Sequence, residues 1–220
     1  EPLKTLLRSG MPVDAPSPKK RKTALHMAAR GGHVGCIQIL LDSKADTNLR
    51  QKGGEDALQL AATGGFAAAV RLLMPGADPA RLHTALTTAI WDAPRPMVGS
   101  TVAALIEGRA DVNLVGSQPP LFVAVIKGQD ATCKLLIKAG ADINRAVTGS
   151  PSGLLDVALK THGEAFLASI LSVVEPMRIH PTQERQLAES RRQLAKELKR
   201  KEAEERERAE AKAKKEAEAK

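Results

Sequence analysis

Between Thr23 and Asn48 apolar and small residues recur at helical spacing in two short runs. Leu25, Ala28 and Ala29 give the first run one apolar side; Thr23 is placed to cap it and Gly31-Gly32 to end it. Ile37, Leu40 and Leu41 mark a second helix, and Lys44-Ala45-Asp46-Thr47-Asn48 reads as a turn. Each predicted helix is about eight to ten residues, too short to persist alone in water. The pattern therefore predicts copies of this unit, stacked on one another.

The copies are present. The turn recurs as Ala45-Asp46, Ala77-Asp78, Ala110-Asp111 and Ala141-Asp142. The leucine opening each first helix recurs as Leu25, Leu58, Leu86, Leu121 and Leu155. The pair closing each second helix recurs as Leu40-Leu41, Leu73-Met74, Leu105-Ile106, Leu136-Ile137 and Ile170-Leu171. The step is roughly 33 residues, a period of helical solenoids. On these residues the chain resembles the ankyrin-repeat family, whose pattern runs T-P-L-H-x-A-A, G-H, V-x-x-L-L, G-A-D-x-N. It carries that pattern as TALHMAARGGH with KADTN, DALQLAATGGF with GADPA, TALTTAI with RADVN, and PPLFVAVIKGQ with GADIN. A degraded copy, GLLDVALKTHG, follows. The resemblance implies an all-α solenoid of stacked antiparallel helix pairs with short β-hairpin fingers.

The organisation expected is an ankyrin domain over residues 1–175 and a charged helix over 176–220. The domain comprises a half repeat (1–14), repeats at about 18–49, 50–80, 81–114 and 115–146, and a cap at 150–173. Leu3, Leu6 and Leu7 match only the second half of a repeat, which points to a fragment of a longer protein.

Several departures from the pattern are where a specific function would be written. The first finger carries Lys19, Lys20, Arg21 and Lys22 after Pro18. This basic tip is open to three readings: a solvated loop, a contact for an acidic partner, or a nuclear-import signal, which requires an extended peptide. Asp56 stands where the family has Thr and serves equally as a cap. The finger entering the third repeat, around Arg81-Leu82-His83, is expected to be missing or stunted. Pro94 and Pro96 are expected to enlarge the next helix-helix loop by about four residues, with the second helix spanning Thr101 to Glu107. The sole tryptophan, Trp91, is expected to pack under that proline-rich insertion; the alternative is an anchor facing the groove.

Composition narrows the chemistry. Aromatic residues make up 2% of the chain, so its core must be built from closely packed aliphatic side chains. The formal charge of +8 suits acidic partners but does not specify a fold. Cys36 and Cys133, three units apart, read as small buried hydrophobes in a reducing compartment rather than a disulfide. No apolar run reaches the roughly 20 residues of a membrane span. The expected location is intracellular and cytoplasmic, with the nucleus as the alternative. The resemblance implies that His26, at the family's T-x-L-H position, bonds the turn backbone of its own or the next repeat. No metal spacing, nucleophile elbow, Walker loop or dinucleotide fingerprint occurs, so neither catalysis nor a cofactor is expected. The four turn aspartates lie one repeat apart and are expected to bond backbone amides singly.

Beyond Pro181 the chain is rich in Glu, Lys, Arg, Ala and Gln, with Glu-to-Lys/Arg pairs such as Glu197-Lys201 and Glu204-Arg208 at helical spacing. It reads as a solvated single helix. A short coiled coil, and through it a weak dimer, at Leu187, Leu194 and Leu198 is the alternative to a monomer. Interleaved charges without aromatics disfavour nucleic acid.

Taken with the resemblance, the chain reads as a non-enzymatic scaffold binding another protein through its concave face and fingers. By family register the partner-facing residues are Lys20, Lys22, Arg30, Glu55, Thr63, Trp91, Asp92, Gln118, Ile126, Lys127, Lys160 and Thr161. The basic end near the first finger favours an acidic partner there. The alternatives are a mechanical spacer, or a regulatory piece of a larger enzyme or channel.

Overall fold

The computed structural model describes residues 2–114, 118–144, 153–174, 179–182, 184–196, 199–200 and 204. The chain divides into two compact units, Glu1–Asp142 and Ile143–Lys220.

In the first unit a lone helix, α1 (Pro2–Arg8), precedes four helix pairs. These are α2 (Ala24–Arg30) with α3 (Val34–Asp42), and α4 (Ala57–Thr63) with α5 (Ala67–Leu73). The third and fourth are α6 (Pro79–Asp92) with α7 (Arg95–Glu107), and α8 (Pro120–Ile126) with α9 (Asp130–Lys138). Helices α2, α4, α6 and α8 stack as one layer; α1, α3, α5, α7 and α9 stack as the other. The expected all-α solenoid is what the chain forms. Leu25, Leu58, Leu86 and Leu121 are buried between the layers, as are Leu40, Leu73, Leu105 and Leu136 from the closing pairs.

Local sequence explains where these short helices begin. Thr23 accepts from the His26 amide while His26 Nδ1 accepts from the Thr23 amide at 3.1 Å, a reciprocal capping box. His26 Nε2 then donates to Leu49 O at 2.9 Å, bonding the following turn as expected. Asp56 and Gln59 repeat the box at 2.9 and 3.0 Å. Asp46 and Asp111 accept from the amides of Asn48 and Asn113, the expected turn role, whereas Asp78 caps α6 through the Arg81 amide at 2.7 Å. Between the helices of the first pair, Gly32 has φ +66, and a Cβ there would lie 2.5 Å from the Phe66 ring of the next repeat.

Lys44 and Arg109 hold the left-handed turn position, φ +62 and +64, that Gly76 and Gly140 occupy in other repeats. A side chain there is strained, so Lys44→Gly is expected to raise the unfolding free energy by about 0.5–1 kcal/mol. Chemical denaturation of Lys44→Gly beside Lys44→Ala, which keeps the strain, checks this.

The third repeat meets one expectation and departs from another. No finger precedes it: Asp78 and Pro79 start α6 early, giving 14 residues where α4 has 7. The loop after it is not enlarged. Only Ala93 and Pro94 separate α6 from α7, and the inserted residues form the first turns of a 13-residue α7. Pro96 sits in that first turn, where its missing N–H has no helical partner to lose. The early start of α6 carries Arg81 inward, where it is 7% exposed. Its Nε donates to Asp56 Oδ2 at 2.8 Å, Nη2 to Thr47 O at 2.8 Å, and Nη1 to Asn48 Oδ1. One guanidinium thus ties together three successive repeats.

Cys133 is buried on α9 and unpaired. Burial, reinforced by the Asp130 carboxylate, pushes its thiol from 9.0 up to about 12. The sign follows from linkage: the unfolded thiol ionises first, so this group stabilises the fold fully below pH 9.0 and the benefit is lost as pH rises towards 12. At pH 8 iodoacetamide is expected to alkylate the partly exposed Cys36 and to spare Cys133 until the chain unfolds. Peptide mass mapping with and without denaturant checks this.

In the second unit, α10 (Leu154–Leu171) is two helical runs joined at Gly163, whose φ of +82 breaks the spiral. Residues 184–196 are helical. Of the solvated helix expected over 176–220, the part described at 184–196 is mostly exposed but has buried positions. Leu187 is 6% exposed, Ser190 is buried, and Arg191 forks onto Glu164 at 2.8 and 3.1 Å. The Arg191–Glu164 fork ties this segment to α10, a tertiary link that charge spacing alone does not reveal. Leu187 is therefore not free for a coiled-coil seam; Leu194 is half-buried. Leu198 and the pairs Glu197-Lys201 and Glu204-Arg208 lie outside the described residues in whole or part.

Candidate binding surface

Five residues beyond each opening leucine lies an equivalent position on the inner helices: Arg30 on α2, Thr63 on α4, Trp91 on α6 and Ile126 on α8. Arg30, Trp91 and Ile126 are exposed and Thr63 is half-buried, its hydroxyl turned onto Gln59 O at 2.9 Å. The row exists because the leucines point into the core and the helical spiral carries the fifth residue beyond them to the opposite side.

Trp91 does not pack as local core. It is 39% exposed, and the insertion that was expected to cover it is instead wound into α7. The Lys127 ammonium lies 4.4 Å from its ring centroid. Two bonds hold the pair in place: Gln129 Nε2 donates to Ile90 O at 2.9 Å, and Arg95 Nη2 to Lys127 O at 3.3 Å. A cation over a partly exposed indole forms an amphipathic platform. Ile126, also 39% exposed, adds apolar area next in sequence to Lys127. Asp92 is exposed and Gln118 half-buried before α8. Lys160 and Thr161 belong to the second unit, where Lys160 pairs with Asp156 at 2.8 Å and Thr161 bonds Val157 O at 2.7 Å.

At the other end of the row the fingers form a groove of about 410 Å³. It brings together the predicted Lys20, Lys22, Arg30 and Glu55, and adds Gln51, Lys52 and Gly53. The first finger is a closed turn: Ser17 N donates to Lys22 O at 2.8 Å, and Lys22 N to Ser17 Oγ at 3.1 Å. The second turns at Gly53-Gly54, with an isolated bridge between Arg50 and Asp56. Lys52 N donates to Lys20 O at 3.0 Å, stitching finger to finger. Lys19 and Arg21 are exposed on the tip and do not line the groove. Lys52 and Gln51 were missed in the sequence; the Gly53-Gly54 turn that aims them was the available signal.

Among the described residues no group of three or more His, Cys, Asp or Glu is placed to hold a metal ion, and no helix is long and apolar enough to cross a membrane.

Short helix pairs stacked in two layers, fingers at one edge and an open row of exposed side chains define a helical-repeat protein with a groove. The chain belongs to the ankyrin-repeat family. A family model for ankyrin repeats in three copies matches residues 1–83, and a model for a single ankyrin repeat matches residues 118–147. Human and mouse Neurogenic locus notch homolog protein 2 are each 33% identical over 144 residues, 62% of this chain and 6% of theirs. Bovine Dynein axonemal heavy chain 12 is 29% identical over 155 residues, 66% of this chain and 42% of that one. The chain thus spans less than half the length of the curated relatives it matches. The crystal structure of the human ASB11 ankyrin repeat domain superposes with a TM-score of 0.66 at 22% identity, covering 85% of this chain and 90% of that one. At that identity the likeness is one of fold.

Proposed function

We propose that this chain is a non-enzymatic scaffold that binds a partner protein along the row Arg30, Thr63, Trp91 and Ile126, anchored on the Trp91–Lys127 platform. Ankyrin repeats are protein-interaction modules, and the observation that carries this particular reading is the half-open indole under a cation at 4.4 Å. Large rings held rigidly at a surface contribute contact area at little entropic cost, which is why tryptophan dominates binding hot spots. Asp92 and Gln118 serve as the polar rim. For the basic tip the contact reading is preferred over nuclear import, because the Ser17–Lys22 turn is closed by its own hydrogen bonds and the Lys20 carbonyl is already engaged by Lys52.

A photocrosslinking residue placed at Ile126 and, in a separate variant, at Lys138 on the outer layer tests the surface in cells. A discrete protein adduct from position 126 and none from 138 supports it. The same adducts from both positions, or adducts only from 138, reject it.

A further inference from the structure

Four cations face the inter-finger groove: Lys20 and Lys52 on adjoining fingers, Lys22 at the base of the first, and Arg30 in the last turn of α2. None of them is in an ion pair among the described residues. The one carboxylate lining the same groove, Glu55, is held to the wall by Gln51, whose Nε2 donates to Glu55 Oε2 at 2.6 Å. Crowding like charges in a concavity is unfavourable unless an anion relieves it, and a concave basic surface concentrates anionic ligands.

A second observation concerns Gln51 itself. It is 8% exposed, and its buried Oε1 has no hydrogen-bond partner. Turning the amide over would place that oxygen against Glu55, so the orientation is set and what the oxygen lacks is a donor. Phosphate groups and nucleic-acid backbones offer mainly acceptors. An extended peptide offers carboxylates for the cations and main-chain N–H donors for Gln51. No aromatic side chain lines the groove on which a base could stack.

We infer that the inter-finger groove binds an extended acidic peptide segment, with Lys20, Lys22, Arg30 and Lys52 pairing its carboxylates and Gln51 accepting from its main chain. This deepens the scaffold reading and rests on it, assigning one end of the partner its chemistry. Glu55 tunes the groove by limiting its net positive charge.

The test is fluorescence anisotropy on the full chain at about 0.1 M salt, where a Debye length near 10 Å leaves groove charges felt. The probe is a labelled peptide of alternating Glu and Ala. Competitors are the same peptide with Gln for Glu, the Glu peptide N-methylated on alternate residues, inorganic phosphate, phosphatidylserine vesicles and oligouridine. Lys22→Glu and Lys52→Glu are each expected to weaken binding about five-fold or more, and Glu55→Gln to tighten it about three-fold. Lys138→Glu, the same charge change outside the groove, is expected to leave binding unchanged. The Gln and N-methyl peptides are expected to compete poorly. Equal loss with Lys138→Glu, no gain with Glu55→Gln, or tighter binding to vesicles or oligouridine overturns the inference. Absence of peptide binding while the adduct at position 126 persists removes the groove assignment alone. Loss of that adduct with peptide binding intact removes the scaffold surface alone.

Discussion

Arg81→Ala is expected to lower the unfolding free energy by about 3–5 kcal/mol, the range for removing one partner of a buried ion pair. The reason lies less in the strength of the pair than in what is left behind. Asp56 is 1% exposed and cannot turn to water. It also caps α4, accepting from the Gln59 amide at 2.9 Å, so it cannot withdraw without freeing the helix end. Thr47 O and Asn48 Oδ1 lose a donor at the same time. Thermal or urea unfolding measures the loss. The double variant Arg81→Met with Asp56→Thr supplies the control: it restores the threonine cap of the family pattern, removes both charges and should recover most of the stability. If Arg81→Ala alone shifts stability by less than about 1 kcal/mol, the value of an exposed pair, the clamp has no structural weight.

The repeat register was legible because stacking forces the same side chains inward in every unit. Leu25, Leu58, Leu86, Leu121 and Leu155 are all buried, and the capping residues Thr23 and Asp56 stand where helices begin. Illegible were the places where local and tertiary choices compete. Pro94 and Pro96 read as a loop, yet proline is equally at home in a first helical turn, and α7 simply starts earlier. Arg81 read as part of a shortened finger, because its value depends on an aspartate 25 residues away. Leu187 read as a scrap of seam in a solvated helix, whereas it is buried and Arg191, four residues on, pairs with Glu164 of α10. The basic tip was visible as composition, but the groove needed Lys52 from the next finger, brought alongside by a single backbone bond to Lys20.

Trp91→Ala is expected to weaken binding of the partner captured at position 126 by about 2–4 kcal/mol, roughly thirty- to a thousand-fold in Kd. Folding stability should change far less, since the ring is 39% exposed at the end of α6 and leaves no closed cavity. This separation distinguishes an anchor from a core residue. A tryptophan buried under the proline segment would show the reverse, a loss of about 3–5 kcal/mol in stability. Lys127→Met probes the other half of the platform: it keeps most of the aliphatic stem and removes the cation 4.4 Å from the ring. Its expected cost in binding is about 0.5–1 kcal/mol, the worth of an exposed cation–π contact. Because the two residues act on one surface, Trp91→Ala with Lys127→Met should cost less than the two losses added, the signature of direct coupling. Binding that survives Trp91→Ala within two-fold would move the anchor elsewhere on the row. Titration calorimetry on the four proteins, paired with urea unfolding of each, reads affinity and stability independently.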